Sequence, residues 1–193
     1  ESTYKRLAEA QVMVDPESAP REEGEPAPEP KGTPRDAIAL LLKLKDRRGL
    51  NSYELAQVWN TLAFAYYTIE DVPNTIRSYE NVLAQGTITE ALEQAALRSL
   101  FQLHYSQENY LKSIEFMDKW EALRGKPDAG VTFIKATAYY QLNRYKDALK
   151  NALLVEQIAL QNQRRIKENW WYIQVVLYNE LEEVDNVISV LEK

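Results

Sequence analysis

Residues 55–76, LAQVWNTLAFAYYTIEDVPNTI, decide the fold of this chain. Their apolar side chains recur at intervals of three and four residues, which is the period of one face of an α-helix. The series comprises Leu55, Val58, Trp59, Leu62, Ala63, Tyr66 and Ile69. A short polar turn follows, and Pro73 stands where the first turn of a helix tolerates proline. The stretch therefore predicts two helices joined by a short turn.

The same pattern returns along the chain. An aromatic residue or histidine, a tyrosine, a polar turn and a small residue before Ile or Leu occur in YYTIEDVPNTI (66–76), HYSQENYLKSI (104–114) and YYQLNRYKDAL (139–149). The small residues Thr75, Ser113 and Ala148 lie 38 and 35 residues apart, and a fainter copy has Val187 in this position. The spacing is close to the period of about 34 residues of a helix–turn–helix repeat.

The whole chain reads as helical. We expect helices near residues 3–14, 35–47, 52–69, 73–85, 89–107, 110–124, 128–142, 145–162, 167–180 and 184–193. Capping boxes are predicted at Asn51–Glu54 and Thr87–Glu90. Left-handed helix caps are predicted at Gly49, Gly86 and Gly125.

Composition narrows the function. The 193 residues carry a net charge of −6, no cysteine and six glycines. Disulfides, thiolate metal sites and cysteine nucleophiles are thereby excluded. No apolar run is long enough to span a bilayer. An acidic chain with only short basic clusters, at residues 43–48 and 164–167, does not favour nucleic acid as a partner.

The residues resemble the tetratricopeptide repeat (TPR) family, whose first helix carries Trp, Leu, a small residue and Tyr in this order. Trp59, Leu62, Ala63 and Tyr66 match that order. The resemblance covers residues 52–193, and it implies an all-α, right-handed superhelical solenoid of antiparallel helix pairs. It also implies a non-enzymatic role in binding proteins or peptides.

Two stretches show a closer resemblance. GLNSYELAQVWNTLAFAYYTIED (49–71) and KENWWYIQVVLYNELEE (167–183) are similar to TPR proteins of Gram-negative bacteria that occur beside TonB-type genes. This resemblance implies a scaffold in a bacterial envelope complex and a periplasmic location, with the cytoplasm as the alternative.

The repeat divides the chain into segments. Residues 1–50 form an N-terminal helical hairpin with an acidic, proline-rich insertion at 16–34, which we expect to be flexible or loosely extended. Four TPR-like repeats follow over 51–87, 88–125, 126–164 and 165–193.

Catalytic chemistry finds no support in the residues. His104 is the only histidine, and it occupies the position of a tyrosine in the sibling repeats, so we expect it to be structural. Carboxylate pairs such as Glu70–Asp71 lie at turns without apolar walls to shift their pKa values. No glycine-rich phosphate loop or nucleophile motif is present. We predict no enzyme activity, no metal site and no cofactor.

The expected binding surface is the concave groove lined by the first helix of each repeat. Its predicted residues are Asn60, Phe64, Tyr67, Arg98, Gln102, Tyr105, Phe133, Thr137, Tyr140, Tyr172, Val176 and Asn179. The tyrosines at 67, 105 and 140 recur in register, which suits peptide recognition. The alternative is that they brace adjacent helices.

Two further features indicate contacts. One residue of the Trp170–Trp171 pair fits the packing position of the repeat, and the other must face the groove, a neighbour or solvent. The last helix carries an apolar stripe of Val184, Val187, Ile188 and Leu191, and no polar capping helix follows it. Truncation or a homodimer would account for this stripe, so the alternative function is self-assembly through the last helix.

Overall fold

The structure is a computed structural model that describes residues 3–19 and 25–192. Residues 20–24, in the middle of the predicted insertion, lie outside this range, as do residues 1–2 and 193. The chain divides into two compact units, residues 1–100 and 101–193. The layout of one hairpin and four repeats stays a prediction.

All regular structure in the described residues is helical, which confirms the predicted all-α class. The first unit contains α1 (Thr3–Val14), α2 (Pro34–Lys45), α3 (Ser52–Thr68), α4 (Val72–Leu83) and most of α5 (Glu90–Ser106). The second unit contains the end of α5, then α6 (Tyr110–Arg124), α7 (Ala129–Gln141), α8 (Tyr145–Gln161), α9 (Glu168–Glu180) and α10 (Val184–Leu191). The bounds agree with the expected helices to within two residues.

The turns between paired helices share one backbone form. Between α3 and α4, Glu70 takes φ +60°, and the N–H of Asp71 donates to the Tyr66 carbonyl at 2.9 Å. Glu108, Asn143 and Glu182 take the same left-handed conformation in the later turns, at intervals of 38, 35 and 39 residues from Glu70 onward. This pattern is a Schellman motif. The repeat is therefore also present in the backbone, although the position usually given to glycine holds Glu or Asn.

The glycine predictions succeed only in part. Gly125 ends α6 with φ +68°, as expected. Gly49 has φ +90°, but it lies beyond the cap of α2 at Asp46. The prediction for Gly86 was wrong, since its backbone is not left-handed and α4 already ends at Leu83, capped by Ala84.

Two of the helix starts lie at capping boxes with both hydrogen bonds in place. Asn51 and Glu54 exchange them before α3, as predicted. The predicted box at Thr87–Glu90 was wrong, because the hydroxyl of Thr89 accepts from Leu92 N–H instead. α5 thus starts three residues after Thr87, where the apolar period of the helix begins.

The first unit has an apolar core between α1, α2 and α3. Its buried members are Leu7, Ala10, Ala37, Leu41, Leu44, Val58 and Leu62. Trp59 packs against this cluster and lies under the Lys45 ammonium, 5.6 Å from its ring centre. The core joins the N-terminal hairpin to α3, the helix that carries the TPR-like motif.

Small residues let α7, α8 and α9 approach closely. Ala136, Ala148 and Ala152 are buried and pack with Ile173 and Leu177 of α9. The predicted small positions Thr75 and Ser113 are also completely buried. The sequence register of the repeat therefore corresponds to closely packed helix contacts in both units.

The insertion is partly structured at its ends. Residues 16–18 form a single 3-10 turn, whereas the prediction was a flexible or loosely extended segment over 16–34. At the other end, Thr33 and Asp36 form a capping box and Pro34 is the first residue of α2. Hydrogen bonds from the backbone and hydroxyl of Thr33 lower the pKa of Asp36. The start of α2 is fixed by this cap.

Candidate partner-binding surfaces

In the first unit, the predicted groove residues of α3 lie on its solvent-facing side. Phe64 and Tyr67 are exposed to 43% and 59%, and Asn60 is half-buried. Arg98, on α5, is also exposed. The opposite face of α3 packs Val58 and Leu62 into the core. Because three-residue and four-residue spacing keeps 60, 64 and 67 on one face, these side chains form an aromatic patch with an amide at its end.

In the second unit, the last turns of α5 and the middle of α7 line a partly open apolar cavity of about 300 Å³. It is lined by Phe101, Gln102, Tyr105, Ser106, Phe133, Ile134 and Thr137. Four of these residues were predicted for the groove. Phe101, Ser106 and Ile134 were missed; the unusually large residue at 101, where the repeat favours a small one, was the available signal.

The cavity wall is held by side chains that contact one another. The Tyr105 and Thr137 hydroxyls are hydrogen-bonded at 3.0 Å, which joins α5 to α7. Tyr105 also meets Tyr110 edge to face, with ring centres 5.3 Å apart. Phe101 meets Trp120 in the same way, at 6.1 Å. Burial, followed by the charges of Glu108 and Tyr105, raises the pKa of Tyr110 above its ordinary value.

Four predicted groove residues of the second unit do not line this cavity. Tyr140 packs on Tyr145 with ring centres 5.7 Å apart. On α9, Tyr172 is 68% exposed, Asn179 is exposed and Val176 is half-buried. The structure thus brings Gln102, Tyr105, Phe133 and Thr137 together at the cavity and does not include the other four in its lining.

The α6–α7 junction contains an ion cluster that sequence reasoning missed. Lys135 is buried, and its ammonium contacts Asp118 at 2.7 Å and Glu121 more closely still. The second oxygen of Glu121 accepts from Asp128 N–H and the Thr132 hydroxyl. Burial lowers the pKa of Lys135, but its hydrogen bonds to the two carboxylates and their charges outweigh burial, so the pKa lies above its ordinary value. The cluster positions α7, from which the cavity wall projects.

His104 is a packing residue, as predicted. Its side chain is buried and stacks on Phe116, with ring centres 5.4 Å apart and planes 6° apart. No group of three or more His, Asp or Glu residues suited to a metal ion occurs in the described part of the chain. No helix of residues 3–19 and 25–192 is long and apolar enough to cross a membrane.

The two adjacent tryptophans have different surroundings. Trp170 is buried, with its ring 6.4 Å from that of Phe133, and Lys167 lies over it. Trp171 is half-buried, and its indole N–H is shielded from solvent without a hydrogen-bond acceptor among the described residues. Trp170 therefore occupies the packing position of the repeat, as the sequence required of one of the pair.

Comparison with known proteins is informative about the fold. No family model and no curated protein matches the chain. Among solved structures, the TPR-like repeats of a Podosopora anserina protein assigned as a kinesin light chain match with a TM-score of 0.60 and 14% identity, covering 98% of this chain and 91% of that one. The fold is TPR-like.

Other solved structures agree with this TPR-like fold. MamA from AMB-1 matches with a TM-score of 0.66 and 12% identity, covering 98% of this chain and 88% of that one. The apo form of RapI matches with a TM-score of 0.62 and 10% identity, covering 98% of this chain and 68% of that one.

Proposed function

We propose that this chain is a non-enzymatic TPR scaffold that binds an uncharged segment of a protein or peptide. The apolar cavity of the second unit carries this proposal. It is large enough for one bulky side chain, and aromatic rings on two sides give it the walls typical of an interface anchor. The TPR-like fold supports a role in protein interaction.

The charge distribution specifies the kind of segment. None of the cavity-lining residues is charged. Lys135 is the only charged residue of α7, and its ammonium is turned to the carboxylates of α6. Because a cation is missing from the wall, the cavity does not suit a terminal carboxylate. The Gln102 amide at the cavity can instead hydrogen-bond the backbone of a bound segment. The Ser106 hydroxyl donates to the Leu103 carbonyl and can accept a hydrogen bond from that segment.

The aromatic patch of the first unit offers a second contact. Phe64 and Tyr67 present aromatic ring area to solvent. We assign this patch to the same class of partner.

The location in the cell follows only from the resemblance to TPR proteins beside TonB-type genes. On that basis we place the scaffold in the periplasm, within an envelope complex. Fractionation of cells that express the natural gene would test this: recovery with cytoplasmic markers would contradict it.

The experiment for the cavity uses the full chain and a random peptide library displayed on phage. We expect the selected peptides to share a large apolar residue without adjacent charge. Thr137→Trp fills the cavity and should lower the affinity for the selected peptide by about tenfold or more, which is at least about 1.4 kcal/mol of binding free energy. Gln107→Trp adds the same ring outside the cavity lining and serves as the control.

An unchanged affinity in a folded Thr137→Trp protein would exclude the cavity as the binding site. Circular dichroism establishes that the variant is folded. Equal losses in both variants would likewise contradict the proposal.

Self-association through α10 is the second candidate. Val184, Ile188 and Leu191 are 65%, 51% and 69% exposed and lie along one side of this helix. Such an apolar stripe favours contact with another helix. Sedimentation velocity over a range of concentrations tests it: a monomer at every concentration, or dimers that persist in Ile188→Glu, would exclude this function.

A further inference from the structure

The outer face of α8 carries a narrow stripe of cations and leucines. Lys146, Lys150, Leu153, Gln157 and Leu160 are all exposed. Their spacing of three and four residues places them in one row along the helix, over a length of about 21 Å. The opposite face, with Ala148, Ala152, Val155, Ile158 and Ala159, is buried in the second unit.

Two arginines extend the stripe beyond the end of α8. Gln163 takes φ +54°, and the N–H of Arg164 donates back to the Ala159 carbonyl at 2.9 Å. This left-handed turn holds Arg164 and Arg165 at the end of the helix, next to Leu160. The leucines therefore lie between lysines on one side and arginines on the other.

Both acids of α8 have partners outside the stripe. Asp147 pairs with Arg144 at 2.7 Å, and Glu156 accepts from the Gln174 amide of α9 at 3.0 Å. Within the described residues, the structure gives no ion pair to Lys146, Lys150, Arg164 or Arg165. In a chain of net charge −6, this face is a local concentration of unpaired positive charge.

The two leucines of the stripe expose apolar surface that a partner could bury. Leu153 is 41% exposed and Leu160 is 62% exposed, and two helical turns separate them by about 10 Å. Apolar side chains seven residues apart, flanked by cations, complement an acidic amphipathic segment with apolar residues at the same spacing. Carboxylates of such a segment would face the lysines and arginines.

We propose that the outer face of α8, with Arg164 and Arg165, is a docking site for an acidic segment of a partner protein that carries two large apolar side chains. This site is separate from the cavity between α5 and α7. A short segment senses only the local positive charge, because screening limits interactions to about 10 Å.

The test measures binding of the full chain to a fluorescent synthetic peptide of about 20 residues. The peptide is an amphipathic helix with leucines along one face and glutamates beside them; its counterpart has glutamine in place of every glutamate. We expect the acidic peptide to bind more tightly, by about tenfold, and to lose this advantage in high salt.

Variants locate the site. Two double variants should each lower the affinity for the acidic peptide by about tenfold. The first is Lys146→Glu with Lys150→Glu, and the second is Leu153→Ser with Leu160→Ser. These side chains are on the surface, so the fold should survive. Leu111→Ser with Lys112→Glu is the matched control, since α6 exposes this Leu and Lys away from α8.

Several outcomes would overturn the proposal. These are equal binding of the acidic and glutamine peptides, and a loss in the α6 control as large as in the α8 variants. Vesicles of phosphatidylcholine and phosphatidylserine form a separate arm. Binding to these vesicles through the α8 residues, without binding to the peptide, would show a membrane contact instead.

Discussion

The two units close their helix junctions with different chemistry. In the first unit, α1, α2 and α3 meet through apolar side chains, with Leu41 and Leu44 completely buried and Trp59 packed against this core. In the second unit, α6 and α7 are joined by the buried ammonium of Lys135 between Asp118 and Glu121. An apolar junction is strong but non-directional, whereas an ion cluster fixes one alignment of the two helices at a cost in desolvation.

The apolar junction should show the largest response. Leu41→Ala leaves a cavity among α1, α2 and α3 and should lower the free energy of unfolding by about 3 kcal/mol. Urea denaturation followed by circular dichroism measures this. The neighbouring Leu42→Ala, at a side chain 37% exposed, should cost less than about 1 kcal/mol. Equal effects of the two variants would mean that the first junction does not depend on this core.

Substitution at the polar junction between α6 and α7 should lower stability slightly less. Lys135→Ala leaves Glu121 buried without its cation and should cost about 2–3 kcal/mol, less than for a fully buried pair because Asp118 is well exposed. Lys119→Ala removes a surface pair with Glu115 on the same helix and should change stability by less than about 0.5 kcal/mol.

A double variant separates the charge from the contact. Lys135→Met with Glu121→Gln removes the buried ion pair and keeps an acceptor for Asp128 N–H. We expect it to recover most of the stability that Lys135→Ala loses. If it is as unstable as Lys135→Ala, the junction depends on the ionic contact itself.

The two junctions should also differ in their dependence on pH. The folded pKa of Lys135 is raised above its ordinary value of 10.5. Its stabilisation is therefore fully present below the unfolded pKa and is lost as pH rises through the folded pKa. Above pH 10.5 we therefore expect the native protein to lose stability relative to Lys135→Met/Glu121→Gln. The loss of unfolding free energy caused by Leu41→Ala should stay constant over the same range. Denaturation series at alkaline pH measure both, and parallel curves would contradict the assignment.

A smaller contrast concerns tyrosines in the same position of the repeat. Tyr67 is 59% exposed and is followed five residues later by Val72, whereas Tyr105 contacts Tyr110 at that spacing and bonds Thr137. Tyr105→Phe should cost about 1 kcal/mol, and Tyr67→Phe should change stability by less than about 0.5 kcal/mol. Thermal unfolding of both variants tests this; equal effects would mean that the bond between Tyr105 and Thr137 contributes nothing.

Substitutions to glycine in the left-handed turns should change stability least, and by the same amount in both units. Glu70→Gly and Glu108→Gly remove the steric cost of a side chain at positive φ and should each raise stability by about 0.5 kcal/mol. Gln107→Gly, one residue earlier, lacks this benefit and should destabilise. Chemical denaturation of the three variants measures these changes. A loss of stability in both Glu70→Gly and Glu108→Gly would show that the glutamate side chains stabilise the turns by more than the strain at positive φ costs.

Much of the fold could be predicted from periodicity. The three- and four-residue spacing of apolar residues located each helix, because an amphipathic helix records in its sequence which face is buried. Less of the candidate site could be predicted from the sequence. The sequence placed Tyr67, Tyr105 and Tyr140 in one register, but their different exposure depends on what stands across the turn: Val72, or an aromatic ring in the later turns.

By itself the sequence determined the helical class and the Asn51 cap, since both depend on residues close together in the chain. It also determined the repeat period and the packing role of His104, since both follow from equivalent positions that recur along the chain. Only the tertiary structure decided that Lys135 lies between two carboxylates of α6, and that Phe101 and Ile134 complete a cavity with Tyr105. It also showed that the cations and leucines of α8 share one exposed face without acidic partners on α8. These contacts join residues that are distant in sequence, or depend on which neighbours cover a helix, and local spacing carries no record of either.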